Sequence, residues 1–208
     1  SHNPYKACVV PRPIGWISTV GIEGRVNLAP FSQFNNLGYD PPYVMFSASG
    51  HEYEDRRKDS VENAATSGEF VYNMATYALR DAVNLSGQTT DSTVDEMAAA
   101  GLTPIASRLV SPPRVGESPV HFECKVHDIV ILPGRTRATT NHVVIGRVIG
   151  VNIDDAVITS DGKVNLQSVR PIARLGYMEY TAVEEIFEMG PIEGTDADAF
   201  AAAMAGGR

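Results

Sequence analysis

Cysteine is scarce in this chain of 208 residues, and several familiar cofactor motifs are missing altogether. Only Cys8 and Cys124 are present, with no CxxC pair, so neither a disulfide framework nor a cysteine-rich zinc site is expected. The sequence contains no GxGxxG fingerprint, no P-loop and no GxSxG elbow. These absences argue against a Rossmann domain, a P-loop NTPase and an α/β-hydrolase.

Long apolar runs and an excess of positive charge are also missing. No apolar run approaches the roughly 20 residues of a membrane-spanning helix, so no membrane partner is expected. The formal net charge is -8, which argues against a nucleic-acid partner because phosphate backbones are bound by basic faces. The amino-terminal residues show no charged-then-apolar export signal, so a cytoplasmic location is expected.

Histidine is equally sparse, with five residues scattered along the chain. His51-Glu52 lacks the second histidine that a zincin helix requires. His121 and His127 fall on alternate positions of one strand-like run, where solvent exposure is a better interpretation than metal ligation. No metal site is predicted.

Short runs of β-branched and aromatic residues dominate what is present, and they predict strands. The predicted strands cover residues 14–20, 24–31, 43–48, 69–74, 119–132 and 142–153. Gly21 to Gly24 reads as a hairpin turn. In the run 119–132 the apolar residues alternate with His121, Glu123 and other polar residues, which predicts one buried face. Cys124 falls on the apolar side, so we expect a packed thiol and no nucleophile.

Helices are fewer and look peripheral. Asp59-Ser60 can cap a helix that stops at Gly68, and residues 76–87 and 92–101 have amphipathic patterns ending on glycine. Many short strands with glycine and proline turns favour a mainly β, antiparallel barrel with a few peripheral helices. We expect one domain over residues 1–192, followed by an alanine-rich tail over 193–208 that is either helical or disordered.

The stretch GRVNLAPFSQFNNLGYDPPYVMF, residues 24–46, carries polar residues at unusual places for a strand pair. Together with the preceding PRPIGWIST, it offers small donors and acceptors beside large aromatic side chains, a mixture that suits a flat ring with polar edges. The alternative is a strand pair with a polar outer face. The polar residues are Ser18, Thr19, Asn27, Ser32 and Asn35, and the aromatic ones are Trp16, Phe31 and Phe34. The double proline Pro41-Pro42 fixes two φ angles, and we hypothesise that it holds the 32–36 loop rigid.

A second polar cluster is RRKDS, residues 56–60, in an otherwise acidic chain. It leads directly into the predicted helix, whose start offers free N–H groups and the positive end of a dipole. Lys58 and Ser60 add a charge and a hydroxyl, which together suit a phosphate monoester. The alternative is a solvated basic turn with Asp59 as an ordinary helix cap.

Several separated motifs, taken in order, resemble the flavin reductase-like family of FMN-binding split barrels. The family includes flavoredoxins and the reductase components of two-component monooxygenases. The motifs are PRPIGWIST, GRVNLAPFSQFNNLGYDPPYVMFSAS, RKDSVENAATSGEFVYNM, PPRVGESPVHFECKV, VVIGRVIGVNIDD and PIARLGYMEY. The likeness runs with gaps from about residue 5 to 180 and implies a Greek-key split β-barrel that forms homodimers.

The resemblance also implies where FMN is held. The segment 27–35 would line the isoalloxazine ring and the ribityl chain, with backbone N–H groups around Ala29 facing the ring edge. Ser18, Thr19, Lys58 and Ser60 would surround the phosphate, and Arg12 and Arg174 would lie at the rim. The complete set of expected cofactor-binding residues is Arg12, Trp16, Ser18, Thr19, Asn27, Leu28, Ala29, Ser32, Phe34, Asn35, Lys58, Asp59, Ser60 and Arg174.

The implied function is an oxidoreductase that transfers hydride from NADH or NADPH to flavin, with a monooxygenase or another redox protein as a possible partner. Direct hydride transfer needs two stacked rings and no catalytic triad, so no separate catalytic residue is expected. One alternative is a flavoredoxin-type carrier that keeps FMN and donates electrons to a protein without using NAD(P)H. A split-barrel protein without flavin is disfavoured, because the polar strand and the RRKDS turn would then have no role.

Overall fold

A curled seven-stranded antiparallel sheet forms the body of the protein. The structure is a computed structural model that describes residues 3–51, 56–88 and 94–189. In spatial order the sheet contains β3 (Val26–Phe31), β2 (Gly15–Val20), β6 (Glu69–Met74), β9 (Val120–Leu132), β10 (Asn141–Ile153), β5 (Pro42–Ser49) and β4 (Phe34–Tyr39). The predicted tail, residues 193–208, lies outside the described residues.

Smaller elements surround this sheet. One three-stranded sheet contains β1 (Arg12–Pro13), β11 (Ile172–Arg174) and β12 (Tyr180–Ala182), and a two-stranded sheet contains β7 (Pro104–Ile105) and β8 (Arg114–Val115). The helices are α1 (Asp59–Ser67), α2 (Arg80–Ser86), α3 (Glu96–Ala99) and α4 (Leu166–Val169), with 3-10 turns at Pro4–Ala7 and Asp155–Val157. None of the helices among the described residues is long and apolar enough to cross a membrane.

The main sheet curls because its two outermost strands, β3 and β4, follow each other in sequence. Only Ser32 and Gln33 separate them, and the carbonyl of Gln33 accepts a hydrogen bond from Ser47 N–H at 2.8 Å. The ring of Phe34 on β4 lies against Gly15 on β2, where an added Cβ would sit 2.4 Å from Phe34 Cδ2. These contacts confirm the predicted antiparallel barrel.

Two apolar clusters fill the two sides of the sheet. The first lies on the side covered by α1 and includes Ile17, Phe31, Phe46, Phe70 and Cys124 among its buried members. The second lies on the side covered by α2 and α3 and includes Ile14, Trp16, Leu28, Met97 and Val115. The expectation that Cys124 packs in the core is confirmed, and burial raises the pKa of its thiol well above the ordinary value.

Gly146 on β10 allows close packing in the first cluster. A Cβ at this position would lie 2.3 Å from Phe70 Cζ and 3.2 Å from Cys124 Cβ. We expect Gly146→Ala to lower the free energy of unfolding by about 1–3 kcal/mol, because an extra methyl forces neighbours out of their rotamers. Gly38→Ala is the matched control, since its added Cβ would meet only Pro41 O at 3.7 Å. Equal urea midpoints for the two variants would contradict this account.

The expectation of one buried face on residues 119–132 is wrong for the first half of β9. His121 and Glu123 are buried, with 7% and 1% exposure. The segment 103–118 covers their face: His121 Nε2 lies 2.8 Å from Val115 O, and Glu123 accepts backbone N–H groups from Arg108 and Leu109. Alternation identifies the two faces of a strand, but a distant segment decides whether both are covered.

Two predicted helices are shorter than expected. The pattern over 76–87 yields only α2 (Arg80–Ser86), because Thr76 forms a β-bridge with Pro171 and Tyr77 N–H donates to Arg170 O at 2.9 Å. Of the pattern over 92–101, residues 92 and 93 lie outside the described residues and only Glu96–Ala99 is helical.

Candidate functional site

The start of α1 is the structural centre of the candidate site. The helix begins at Asp59, with Lys58 as its N-cap residue, and ends before Gly68, whose left-handed φ of 70° confirms the predicted stop. No side chain caps the helix, so Asp59 is not the cap that the sequence predicts. Its carboxylate instead forms an ion pair with Arg56. The N–H groups of Asp59 and Ser60 come before the first helical acceptor, whereas the N–H of Val61 already donates to Lys58 O at 2.9 Å.

Two hydrogen bonds connect this helix to the β2–β3 hairpin. Asn27 Nδ2 donates to Ser60 Oγ at 2.8 Å, and Asn63 Nδ2 donates to Thr19 Oγ1 at 3.2 Å. The predicted residues Asn27, Thr19 and Ser60 are thus brought together beside the exposed Lys58, and Thr19 and Ser60 are themselves buried. Sequence reasoning missed Asn63, although its spacing of three residues from Ser60 places both on one helix face.

Ser18 does not join this group. Successive side chains of a strand point to opposite faces, so Ser18 faces away from Thr19. Its hydroxyl donates to Pro113 O at 2.6 Å and accepts from Asn73 Nδ2 at 3.2 Å. Ser18 is fully buried in this network, which ties β2 and β6 to the 103–118 segment.

Trp16 and Leu28 also lie on the side of β2 and β3 away from α1. Both are fully buried in the second apolar cluster, and Trp16 Nε1 donates to Ser86 Oγ at 2.9 Å. The structure therefore places Trp16 as a support behind the hairpin, with no accessible face.

The backbone of β3 differs from the expected arrangement at Ala29. The N–H of Leu28 points away from β2, because it donates to Glu96 Oε2 at 3.2 Å. Ala29 is paired with Ile17 in the antiparallel register, and alternation directs its N–H toward β2. The side chain of Ala29 remains on the α1 side with Asn27, half-buried.

The predicted loop over 32–36 is only a two-residue turn. Ser32 is half-buried in that turn, whereas Phe34 and Asn35 already belong to β4. Phe34 is buried and stacks on Tyr72, with ring centroids 4.6 Å apart. Asn35 points outward and accepts the N–H of Asn36 at 3.0 Å, so the structure does not place its side chain with that of Phe34.

The Asp40-Pro41-Pro42 corner connects β4 to β5 at the end opposite Phe34. Tyr39 pairs with Pro42, whereas Phe34 pairs with Phe46, so nearly the whole length of β4 separates the prolines from Ser32. The hypothesis that the prolines directly brace the Ser32 region is therefore wrong.

Arg12 and Arg174 lie opposite each other in the β1–β11 pair, in a different part of the fold from α1. Arg12 Nη1 donates to the carbonyls of Lys6 at 2.9 Å and Val9 at 2.6 Å. Arg174 donates to Tyr177 O and Tyr180 Oη. The structure thus brings these two arginines together, and each side chain donates hydrogen bonds to residues near it in the sequence.

The chain is similar to known proteins in both sequence and fold. The class that the curled antiparallel sheet and the polar helix start define is the split-barrel fold. The sequence profile described as "Flavin reductase like domain" matches residues 7–167. The chain therefore belongs to the flavin reductase-like family, and the resemblance found in the sequence is confirmed.

Three similar proteins illustrate the relationship. An uncharacterised protein of Aquifex aeolicus (strain VF5) is 37% identical over 172 residues, covering 83% of this chain and 84% of that protein. Nitrilotriacetate monooxygenase component B from Bacillus cereus superposes with a TM-score of 0.83 at 29% identity, covering 89% and 90% of the two chains. The 2-nitrobenzoate 2-nitroreductase NbaA of Pseudomonas fluorescens superposes with a TM-score of 0.79 at 25% identity, covering 93% and 91%. The predicted split-barrel fold is confirmed.

Proposed function

We propose that this protein is an FMN-dependent oxidoreductase that accepts hydride from NADH or NADPH and delivers reducing equivalents to free flavin or to a partner oxygenase. The observation that carries the proposal is the Asn27–Ser60 hydrogen bond, which joins β3 to the first turn of α1 in a flavin reductase-like chain. When bound, FMN supplies a ring that accepts hydride. The residues around α1 bind and orient that cofactor.

The groups at the start of α1 fit the phosphate of FMN. Lys58 contributes a positive charge, Ser60 a hydroxyl, and the first turn its N–H groups and the positive end of the helix dipole. The carboxylate of Asp59 would repel an anion, but its ion pair with Arg56 offsets that charge. We assign Lys58 and Ser60 to the phosphate by their side chains, and Asp59 by its backbone.

The ring and the ribityl chain fit along the α1 side of the hairpin and the turn that follows it. Asn27 and Ala29 are half-buried on this side of β3, Phe31 packs beneath them in the first apolar cluster, and the half-buried Ser32 follows in the turn. Thr19 is fully buried and accepts from Asn63, so it fixes the hairpin against the helix. Phe34 forms a buried wall against Tyr72. Ser18, Trp16 and Leu28 support this surface from behind, and Asn35, Arg12 and Arg174 are given no contact with FMN.

No acid–base pair is required for hydride transfer, since the protein's task is to align two rings and exclude water. Within the described ranges, no group of three or more His, Cys, Asp or Glu residues could hold a metal ion. We expect the purified protein to oxidise NADH or NADPH in the presence of FMN, as measured by the loss of nicotinamide absorbance. The proposal fails if neither nucleotide is oxidised faster than in protein-free FMN solution.

A homodimer is part of the proposal. Ile149, Val151 and Ile153 occupy alternate positions of β10 and expose 38%, 55% and 37% of their surface. Val151 and Ile153 share one face, and Ile149 precedes them at a register shift between Val148 and Gly150, so the three form an exposed apolar segment suited to a second copy of the chain. We expect light scattering to give a dimer mass and Val151→Glu to give a monomer. A monomeric parent protein would contradict this part.

The proposed oxygenase partner rests on the likeness to a monooxygenase component B. A cytoplasmic location stays a prediction.

A further inference from the structure

A second basic region lies next to α1 and is not used by the proposed FMN site. Its cavity has a volume of about 570 Å³, within the range of small-molecule pockets. The described residues that line it are Arg56, Arg57, Glu62, Ile131, Arg137, Thr140 and His142. The described part of this lining thus contains three arginines and one glutamate, in a chain whose formal net charge is -8.

Gly50 brings the walls of this cavity together. Its N–H donates to Thr140 O at 3.0 Å, and it forms a β-bridge with Arg57. A Cβ at this position would lie 2.4 Å from Arg137 O. Because only glycine fits here, the turn that carries Arg137 can pack directly against the segment that carries Arg57.

The turn carrying Arg137 is fixed by its own hydrogen bonds. Thr136 N–H donates to Thr139 Oγ1 at 3.0 Å, and Gly134 N–H donates to Thr140 Oγ1 at 3.1 Å. Thr140 Oγ1 in turn donates to Thr136 O at 3.0 Å. The turn therefore needs little ordering when a ligand binds, which favours affinity.

His142 supplies the observation that points to a ligand. Its side chain is only 8% exposed, and its buried Nδ1 has no hydrogen-bond partner among the described residues. Buried polar atoms are normally satisfied, so an atom of this kind on a cavity wall indicates a missing polar group. Burial and the charge of Arg57 lower the pKa of His142, while Glu62 opposes them.

We propose that this cavity binds the 2′-phosphate end of NADPH, with Arg57 and Arg137 contacting the phosphate and His142 completing the contact. The assignment rests on the proposed function, which requires a pyridine nucleotide. A phosphate monoester suits guanidinium forks, which bind its oxygens in pairs. Ile131, which is 54% exposed, provides an apolar wall for the adenine ring. The 2′-phosphate is also the group that NADPH has and NADH lacks, so the cavity determines which nucleotide is preferred.

The side chain of Arg57 makes one long ion pair with Glu62 at 4.0 Å, which a phosphate could replace. Arg56 is already paired with Asp59, and it adds positive potential without being needed for direct contact. The neighbouring residue Lys58 is assigned to the phosphate of FMN, so the two phosphate sites adjoin and remain separate.

The test compares NADP⁺ and NAD⁺ binding by calorimetry to the FMN-loaded full chain. We expect NADP⁺ to bind the parent at least about tenfold more tightly than NAD⁺, since a charge-assisted contact contributes that much or more. Arg57→Gln combined with Arg137→Gln should remove this preference and leave NAD⁺ affinity unchanged. Arg147→Gln, an exposed arginine on β10 that does not line the cavity, is the matched control.

Several other outcomes would overturn the assignment. Equal weakening of NADP⁺ and NAD⁺ would place their shared phosphates in the cavity. A loss of FMN affinity with unchanged NADP⁺ binding would show that the cavity holds the FMN phosphate. Unchanged nucleotide affinities in the double variant, or equal NADP⁺ and NAD⁺ affinities in the parent protein, would show that the cavity does not bind the 2′-phosphate. Selective loss of NADP⁺ binding in a protein that fails to reduce flavin would refute the proposed function and leave this inference intact.

Discussion

Replacing Lys58 by Gln and Ser60 by Ala together should weaken FMN binding about a hundredfold. Both side chains would donate to a charged phosphate, and each such hydrogen bond contributes about 1.5–3 kcal/mol, of which we take the lower limit. Their sum of about 3 kcal/mol corresponds to that factor. The dissociation constant of FMN for the apoprotein, measured by flavin fluorescence, checks the expectation.

Riboflavin provides the control for this experiment because it has the same ring and ribityl chain but no phosphate. We expect the double variant to bind riboflavin as the parent protein does. Lys163→Gln is the control variant, because this exposed lysine pairs with Asp161 in a distant turn. An equal loss of FMN and riboflavin affinity would show damage to the fold. An unchanged FMN affinity would show that the FMN phosphate does not bind at the start of α1.

Replacing Glu123 by Ala should lower the free energy of unfolding by about 3 kcal/mol at neutral pH. This carboxylate is 1% exposed. It accepts Leu109 N–H at 2.6 Å, Arg108 N–H at 3.1 Å and Asn152 Nδ2 at 3.0 Å. Removing it leaves three partly buried donors without their acceptor, and an unsatisfied donor costs about 1–3 kcal/mol when buried. Urea unfolding of the two proteins provides the measurement.

The same carboxylate makes stability depend on pH. Burial raises the pKa of Glu123, but hydrogen bonds from Leu109, Arg108 and Asn152 and the charge of Arg114 outweigh that effect, so its pKa is lowered from 4.5. Because the folded-state pKa lies below the unfolded one, the contribution is complete above the unfolded value and is lost as pH falls through the folded value.

Glu69 behaves in the same way. Burial raises the pKa of Glu69, but the hydrogen bonds from Lys125 and Ser111 together lower it by more, so the net shift is downward. Glu123→Ala should therefore leave part of the acid sensitivity in place. Compared with the parent protein, its unfolding free energy should fall less steeply below pH 4.5. An identical slope, or a loss under about 0.5 kcal/mol at neutral pH as for a surface change, would contradict the assigned role.

The fold was largely predictable because strand and turn signals in this chain are local. Residues 69–74 were predicted as a strand and form β6 with the same limits. The hairpin turn at 21–24 is confirmed by the hydrogen bond from Gly24 N–H to Gly21 O at 2.9 Å. Each of these features depends on residues within a few positions of one another.

The features that were missed depend on contacts between distant segments. His121 and Glu123 look like solvent-facing residues until the 103–118 segment covers them. The helix expected over 76–87 loses its first turn to a bridge with Pro171. A helical pattern in the sequence does not show whether a tertiary contact is more stable than the helix. Here the competing contact is made with Pro171, almost 100 residues away in the sequence.

The candidate site was predictable in part. The pairing of Asn27 with Ser60 unites the two polar clusters that the sequence singles out. Ser18 and Thr19 were grouped together, although the strand period places them on opposite faces. The cavity between Arg57 and His142 could not be foreseen, because Gly50 brings its walls together only in the folded chain.

Anaerobic reduction of the FMN-loaded protein by NADPH and NADH, followed through the visible flavin absorbance, tests the central claim most directly. The account predicts that at least one nucleotide bleaches the flavin completely. Nucleotide carrying deuterium at the transferred position should react more slowly, because direct hydride transfer breaks the C–D bond of the nicotinamide. A flavin that stays oxidised with both nucleotides would contradict the account and favour a carrier that receives its electrons from another protein.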